Sequence, residues 1–405
     1  MQNRCMLPLL ALACAVCVAA IYFPQAISPL IAADLRVSPS AAAQTATGAQ
    51  LGYALGIFLL VPLGDRLRNR PLIVTLMALT GVCLLIAAAA PNLAVLLVAG
   101  SLAGVFTVVP QIIMPMVAGL VPDNRRGAAV GTVLGGLLGG ILLARTFGGT
   151  IGEWLGWRAP YIVAAVIILL LAAVLAVTAP HTTPAAKHNY PSLLAESLRL
   201  FRREPELRRS ALYQALLFGG FSAAWTCLAL LISSPRYGLG AETVGLIGLA
   251  GAVSVFVTPV AGRWIDRKGP DPVNMISILG AVVSAVILAF GLLGGVAGLV
   301  FLVAGLILVD LAVQSGQVAN QSRIFALKPE ERGRLNTAYM TCSFLGGTLG
   351  SWLGVQLYDL FGWIAVATFV AFVALVALIR HLVHLSGRRG TPAPASEEPS
   401  AATLR

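Results

Sequence analysis

The chain has 405 residues, 58% of them hydrophobic and only 11% charged, with a mean hydropathy of +0.89. That composition excludes a set of soluble domains, which the length alone would allow. The net charge of +11 would suggest a nucleic-acid partner in a soluble protein, but here the placement of the basic residues explains it without one.

Twelve apolar runs are legible: about Leu7–Ile31, Ala43–Leu63, Leu72–Ala90, Leu93–Leu120, Ala128–Thr150, Tyr161–Thr178, Leu212–Ile232, Val244–Ala261, Val273–Leu293, Ala297–Val318, Thr337–Leu357 and Ala365–Val383. Most reach the roughly 20 residues that cross a hydrocarbon core as helix. Continuous runs do not fit barrel strands, which alternate. The reading is an all-α membrane protein of twelve transmembrane helices, arranged as two six-helix bundles, with the lipid bilayer as its surroundings. If the N-terminus lies inside, only Arg36, Arg158 and Arg236 among the 27 Lys and Arg fall in outer loops, and Arg145 falls inside a span. That bias places both termini in the cytoplasm.

The first run is too long for a secretory leader and is read as helix 1. Ser38-Pro39-Ser40 opens helix 2, which ends in a tight basic loop carrying Asp65 and Arg66. Pro110 and Pro115 are expected to bend helix 4. Pro180–Arg209 is the longest connection, and its second part, Ser192–Arg209, reads as a basic amphipathic helix on the inner surface. Helix 8 runs into a second basic loop with Asp266 and Arg267. The tail after Val383 is rich in Pro, Ala, Ser and Glu and is expected to be disordered. The expected organisation is therefore 1–180 as the first bundle, 181–210 as linker, 211–385 as the second bundle and 386–405 as tail.

An ungapped repeat joins the halves. Arg126–Trp157 aligns with Arg332–Trp363 at a constant offset, 332 − 126 = 206, so that Gly140 meets Gly346, Gly148 meets Gly354 and Glu153 meets Asp359. Small residues at this spacing let helix backbones approach closely in lipid. A chain that repeats itself half a length apart is built of two similar halves.

Helix 10 carries the densest polar signal. Asp310, Gln314, Gln317 and Gln321 are spaced 4, 3 and 4 and, at about 100° per residue, fall within about 60° of one another. Such a stripe in lipid must face protein or water; it reads as cavity lining, with an interhelical hydrogen-bond seam as the alternative. Asp310 lies about thirteen steps into its run, ~20 Å of rise and near mid-depth. A carboxylate there is costly to keep charged unless paired, and so can exchange protons. Arg145 lies further toward the outer side. It either pairs with Asp310 in one conformation, or reaches outward to serve an anionic or polar substrate, or is structural. Further cavity candidates are Tyr22 and Gln25 of helix 1, Gln111 of helix 4, Tyr213, Gln214 and Trp225 of helix 7, and Asn336 and Tyr339 of helix 11. Each could instead bond helix to helix, and Trp225 could be an interface aromatic.

No metalloprotease motif, Walker loop or plausible Ser–His–Asp set is present, so neither an enzyme nor a cofactor or metal site is expected. His381 and His384, at the end of helix 12, read as interfacial. The six cysteines, including the Cys14/Cys17 pair, read as small residues of membrane helices.

The 6 + 6 plan, the basic loops after helices 2 and 8 and the Gly-rich helix 5 resemble the major facilitator superfamily. Gly262–Gly269 matches its loop pattern, whereas in the first half Val61 and Arg68 replace the glycines around Asp65 and Arg66. Gly140–Gly149 resembles the helix-5 stretch of drug–proton antiporters, with Ala144-Arg145 where Gly-Pro would stand. The chain is closest in pattern to bacterial drug-antiporter or sugar-efflux-like exporters. That resemblance implies a monomeric, multi-pass transporter of the bacterial inner membrane, working by alternating access. The expected function is proton-coupled efflux of a small polar or amphipathic solute, with Asp310 and Arg145 coupling the proton and Asp65, Arg66, Asp266 and Arg267 latching the inner face. A facilitator or proton-symport uptake carrier is the alternative within transport, and a membrane sensor or scaffold the alternative outside it.

Overall fold

The computed structural model describes residues 6–180, 189–251, 253–328 and 331–389, and these are helical throughout, without a strand among the described residues. Backbone groups in an apolar solvent must bond within their own segment, and long apolar runs do so as helices.

The first run forms α1 (Met6–Tyr22) and α2 (Pro24–Leu35), bent by 45° at Phe23 ahead of Pro24. Ser38 caps α3 (Pro39–Leu60), accepting the Ala41 amide at 3.2 Å. A short α4 (Leu63–Arg66) precedes α5 (Asn69–Ala88). The fourth run divides into α6 (Leu93–Phe106) and α7 (Val109–Leu120), the break falling just before Pro110. Thr107 at that break donates its hydroxyl to the Cys17 carbonyl at 2.6 Å. The first half ends with α8 (Asp123–Leu155) and α9 (Arg158–Thr178).

The linker helix α10 (Tyr190–Arg203) stops at Glu204, whose backbone is extended, and α11 (Pro205–Ser233) restarts on Pro205. The expected single helix Ser192–Arg209 is therefore two, because proline suits a first helical turn but forces the residue before it out of helix. The eighth run is likewise divided, into α12 (Ala241–Ala250) and α13 (Val253–Lys268). Then follow α14 (Pro270–Ala289), α15 (Gly295–Leu327), α16 (Arg332–Phe361) and α17 (Trp363–Arg389). Most of the linker's first part, 181–188, and the tail from 390 lie outside the described residues.

Nine described helical segments are long and apolar enough to cross a membrane, or ten if α1 and α2 are one bent span. The two expected spans outside that set are the divided α12–α13 and the polar, Gly-rich α16. α16 lies against α11 and α3, so protein rather than lipid covers much of it.

The repeat has a structural meaning. A Cβ on Gly140 of α8 would overlap the Ala15 carbonyl of α1, and one on Gly346 of α16 would overlap the Ala215 carbonyl of α11. On Gly148 and Gly354 it would stand 2.7 Å from the Cβ atoms of Phe23 and Ala223. The partner helices carry their own constant offset, 215 − 15 = 200 and 223 − 23 = 200. The same small-residue contact is thus made once in each half, α8 on α1–α2 and α16 on α11.

Two seams join the halves. In one, α3 meets α16: Ser351 shares hydroxyl hydrogen bonds with Thr47 at 2.8 Å and Thr226 at 2.9 Å, and the Tyr53 and Phe344 rings meet edge-on at 4.6 Å. In the other, α8 meets α12: the Thr146 hydroxyl donates to the Gly245 carbonyl at 2.8 Å, and Glu153 accepts the Ala241 amide at 2.8 Å. That places a carboxylate of the first half on the N-terminus of a helix of the second.

Candidate functional site

Where the halves meet, α8 delivers Arg145 and α15 delivers Asp310. Both are buried, at 1% and 5% exposure. Arg145 donates from Nε to Gln25 Oε1 at 3.0 Å. Its guanidinium carbon stands 3.9 Å from the centroid of the Trp225 ring, with Tyr22 and Phe221 at 5.3 and 5.4 Å. The cation is thus boxed by three aromatic rings, whose faces attract it where water cannot. Trp225 donates from Nε1 to Asp310 Oδ1 at 2.9 Å.

The cation and the acid are joined through one indole and make no direct ion pair. The Trp225 ring stands between them, under the guanidinium on its face and bonded to the carboxylate at its edge. Trp225 is fully buried, so it is not an interface aromatic. Glycines make the room: a Cβ on Gly248 would meet Arg145 Cβ at 3.1 Å, and one on Gly251 would meet Asp310 Oδ2 at 2.6 Å. Both lie on α12 or at its end, so the divided eighth helix sits against both charges.

Two donors here have no partner although they are buried, Arg145 Nη2 and Gln25 Nε2. Buried polar atoms are normally satisfied, and an exception calls for a reason.

The other expected residues are spread more widely. Tyr22 is buried beside Arg145. Gln111 donates to the Tyr53 hydroxyl at 3.2 Å. Gln314 and Gln317 are part-exposed on α15, while Gln321 donates to Asn336 of α16 at 3.3 Å. Gln214 is buried with its Oε1 unpartnered. Tyr339 is fully buried, and so is Tyr213, which meets the His381 ring edge-on at 5.5 Å. His381 is 0% exposed, packed against α11 near the Asp271, Arg209 and Arg323 network. Asp65, Arg66, Asp266 and Arg267 are exposed on α4 and at the end of α13.

Some residues were not anticipated. Phe221 completes the aromatic box, one helical turn before Trp225. Gln50, fully buried on α3, leaves both amide atoms unpartnered. Near the α10 end, Asp271 accepts from both Arg323 and Arg209, and Arg209 also holds Glu206. This network ties α11, α14 and α15 together. The helix α10 is itself tethered to both halves: the Tyr190 hydroxyl donates to the Leu59 carbonyl at 2.6 Å, Glu196 pairs with Arg334 at 3.4 Å, and Glu204 with Lys328 at 3.1 Å.

Bent and divided apolar helices, closely packed through glycine around buried opposite charges, define a multi-pass membrane transporter rather than an enzyme. Comparison with known proteins agrees. Residues 9–318 match the family model described as Major Facilitator Superfamily, and the chain belongs to that family. It is 36% identical to the uncharacterized transporter YgaY of Escherichia coli, over 88% of this chain and 90% of that one. It is 37% identical to a Streptomyces coelicolor protein, SCO4007, described as a probable transporter, over 89% and 83%. Among solved structures, the nucleoside transporter NupG superposes with a TM-score of 0.71 at 14% identity, covering 92% of this chain and 99% of that one, and so shares the fold.

Proposed function

We propose that this is a proton-coupled secondary transporter of a small polar or amphipathic solute, working by alternating access. In this reading twelve spans form two six-helix units, 1–180 and 211–385, joined by the linker 181–210. Both termini lie in the cytoplasm, the protein sits in the bacterial inner membrane, and a single copy suffices. The two seams form the outer closure, and the loops holding Asp65-Arg66 and Asp266-Arg267 latch the inner face when the cavity opens outward.

The observation that carries the reading is the chain Arg145–Trp225–Asp310. The cation belongs to the first half and the acid to the second, and both are buried. Rocking the halves apart would separate them, and a charged group left alone in that centre would cost several kcal/mol. Protonating Asp310 removes one of the two charges, which links proton occupancy to the motion between halves. Export in exchange for protons is the form the exporter resemblance carries, with solute and proton taking turns at Asp310. Symport is the form the opposite charges favour, because a protonated Asp310 leaves Arg145 in need of a new counter-charge; we take symport as the leading form.

The test is transport in liposomes, once a metabolite screen of cells lacking or overexpressing the protein has supplied a solute. Asp310→Asn should lose accumulation driven by a pH gradient while keeping solute exchange without one. Full proton-driven accumulation by Asp310→Asn would overturn the proposal.

A further inference from the structure

We infer that the solute is a small organic anion whose carboxylate, or an equivalent oxyanion, seats on Arg145 and Gln25. The inference rests on proton coupling at Asp310 and adds the charge class of the cargo. Arg145 Nη2 and Gln25 Nε2 are both buried, both unpartnered and both N–H donors. Arg145 Nε already holds the Gln25 oxygen, which fixes the amide so that its nitrogen, not its oxygen, is left over. Two spare donors on side chains that already bond each other ask for an acceptor, and a guanidinium linked to an amide suits a carboxylate better than an amine or a hydroxyl.

Charge arithmetic points the same way. With Asp310 ionised, the centre holds one positive and one negative group and is neutral when empty. With Asp310 protonated it is neutral only if an anion joins Arg145. An amine bound to ionised Asp310 would set two cations against that single carboxylate, leaving one positive charge in excess around the Trp225 ring. The aromatic walls, Tyr22, Phe221 and Trp225, surround the buried cation, so that a counter-charge is felt more strongly than it would be in water.

The experiment uses the purified full-length protein and thermal unfolding. The probes are benzoate, pyruvate and succinate, each beside its amide and its matched amine, in mildly acidic and mildly alkaline buffer. At least one carboxylate is expected to stabilise the protein where its amide and amine do not. Its apparent affinity should weaken by up to about tenfold per pH unit on the alkaline side, the limit for one coupled proton. Arg145→Gln should abolish the effect. Should that variant fail to fold, Gln25→Leu, which keeps every charge, should weaken carboxylate binding at least severalfold while leaving amides unaffected. Asp310→Asn keeps an acceptor for Trp225 and imitates the protonated acid, so it should bind the carboxylate equally well at both pH values.

Stabilisation by no carboxylate beyond its amide and amine, or binding that survives both Arg145→Gln and Gln25→Leu, overturns the anion site. Carboxylate binding that is pH-independent in the unmodified protein would keep the anion site and overturn proton coupling instead, so the two failures are distinguishable.

Discussion

Gly149 on α8 offers a test of whether the α8–α12 seam is a moving part. An alanine Cβ there would come within 3.2 Å of both the Ala241 carbonyl carbon and the Gly245 nitrogen, with the Ala241 oxygen closer still. Ordinary contact begins near 3.4 Å, and every one of these neighbours is backbone, which cannot turn aside as a side chain can. Over-packing of this kind costs about 1–3 kcal/mol. In a rocking transporter that cost falls only on the state in which this seam is closed. Gly149→Ala should therefore shift the equilibrium between states by about 5- to 150-fold toward the open seam. The assay is a spin-label distance between Trp154→Cys and Leu246→Cys, two exposed positions on α8 and α12, in a cysteine-free background. The control is Gly140→Ala, which clashes with Ala15 inside the first half; it should lower thermal stability without moving the distance distribution. An unchanged distribution in folded Gly149→Ala, or an equal shift in Gly140→Ala, would refute a seam that opens.

Trp225→Phe keeps a ring for Arg145 but removes the donor to Asp310. It should lower thermal stability by about 1.5–3 kcal/mol in alkaline buffer, the worth of a hydrogen bond to a buried charged group. If Asp310 takes up a proton in mild acid, as proposed, the penalty should shrink there, and calorimetry at the two pH values reads the difference. Arg323→Met leaves Asp271 and Glu206 short of one cation in the network near α10; Arg209 remains, so the loss in thermal unfolding should sit near the low end for a broken buried pair, about 3 kcal/mol. At the other anchor of α10, the Glu204 carboxylate, and then Glu331, hold the Lys328 ammonium above its ordinary value of 10.5. A raised ammonium gives its full contribution below the unfolded value and loses it only as pH rises through the folded one. Proteolysis of the linker should therefore be indifferent to pH below that range and increase above it.

The fold was the more legible part. Continuous apolar runs announce helices and Pro110 announced the break in the fourth, because lipid leaves the backbone no other partner and proline removes a donor; the breaks ahead of Pro24 and Pro205 were read through as continuous helix. The repeated Gly140 and Gly346 announced close packing, and each lies on a backbone carbonyl of its neighbour. The division between α12 and α13 was not legible, since it falls beside Gly251 with no proline nearer than Pro259. α16 was legible both as the run Thr337–Leu357 and through the repeat; Thr337, Thr348 and Ser351 lower its hydropathy, and it packs on protein.

Of the site, Asp310 and Arg145 were visible as charges where charge is expensive. Their link was not, because rise along two separate helices gives depth and says nothing of an indole between them. Gln25 gained its role the same way, from a neighbour 120 residues distant. The stripe on α15 proved uneven: Asp310 is buried, Gln314 and Gln317 reach part-exposed space and Gln321 bonds to Asn336. Angular coincidence on one helix cannot tell which neighbours stand opposite each turn.

Proton binding at Asp310 can be measured without knowing the solute. The infrared difference spectrum of the purified protein between alkaline and mildly acidic buffer should contain the carbonyl stretch of one buried protonated carboxylic acid. That band should vanish in Asp310→Asn and move in Trp225→Phe, which alters the hydrogen bond the carboxyl accepts. Identical difference spectra from the unmodified protein and Asp310→Asn would contradict the account at its centre.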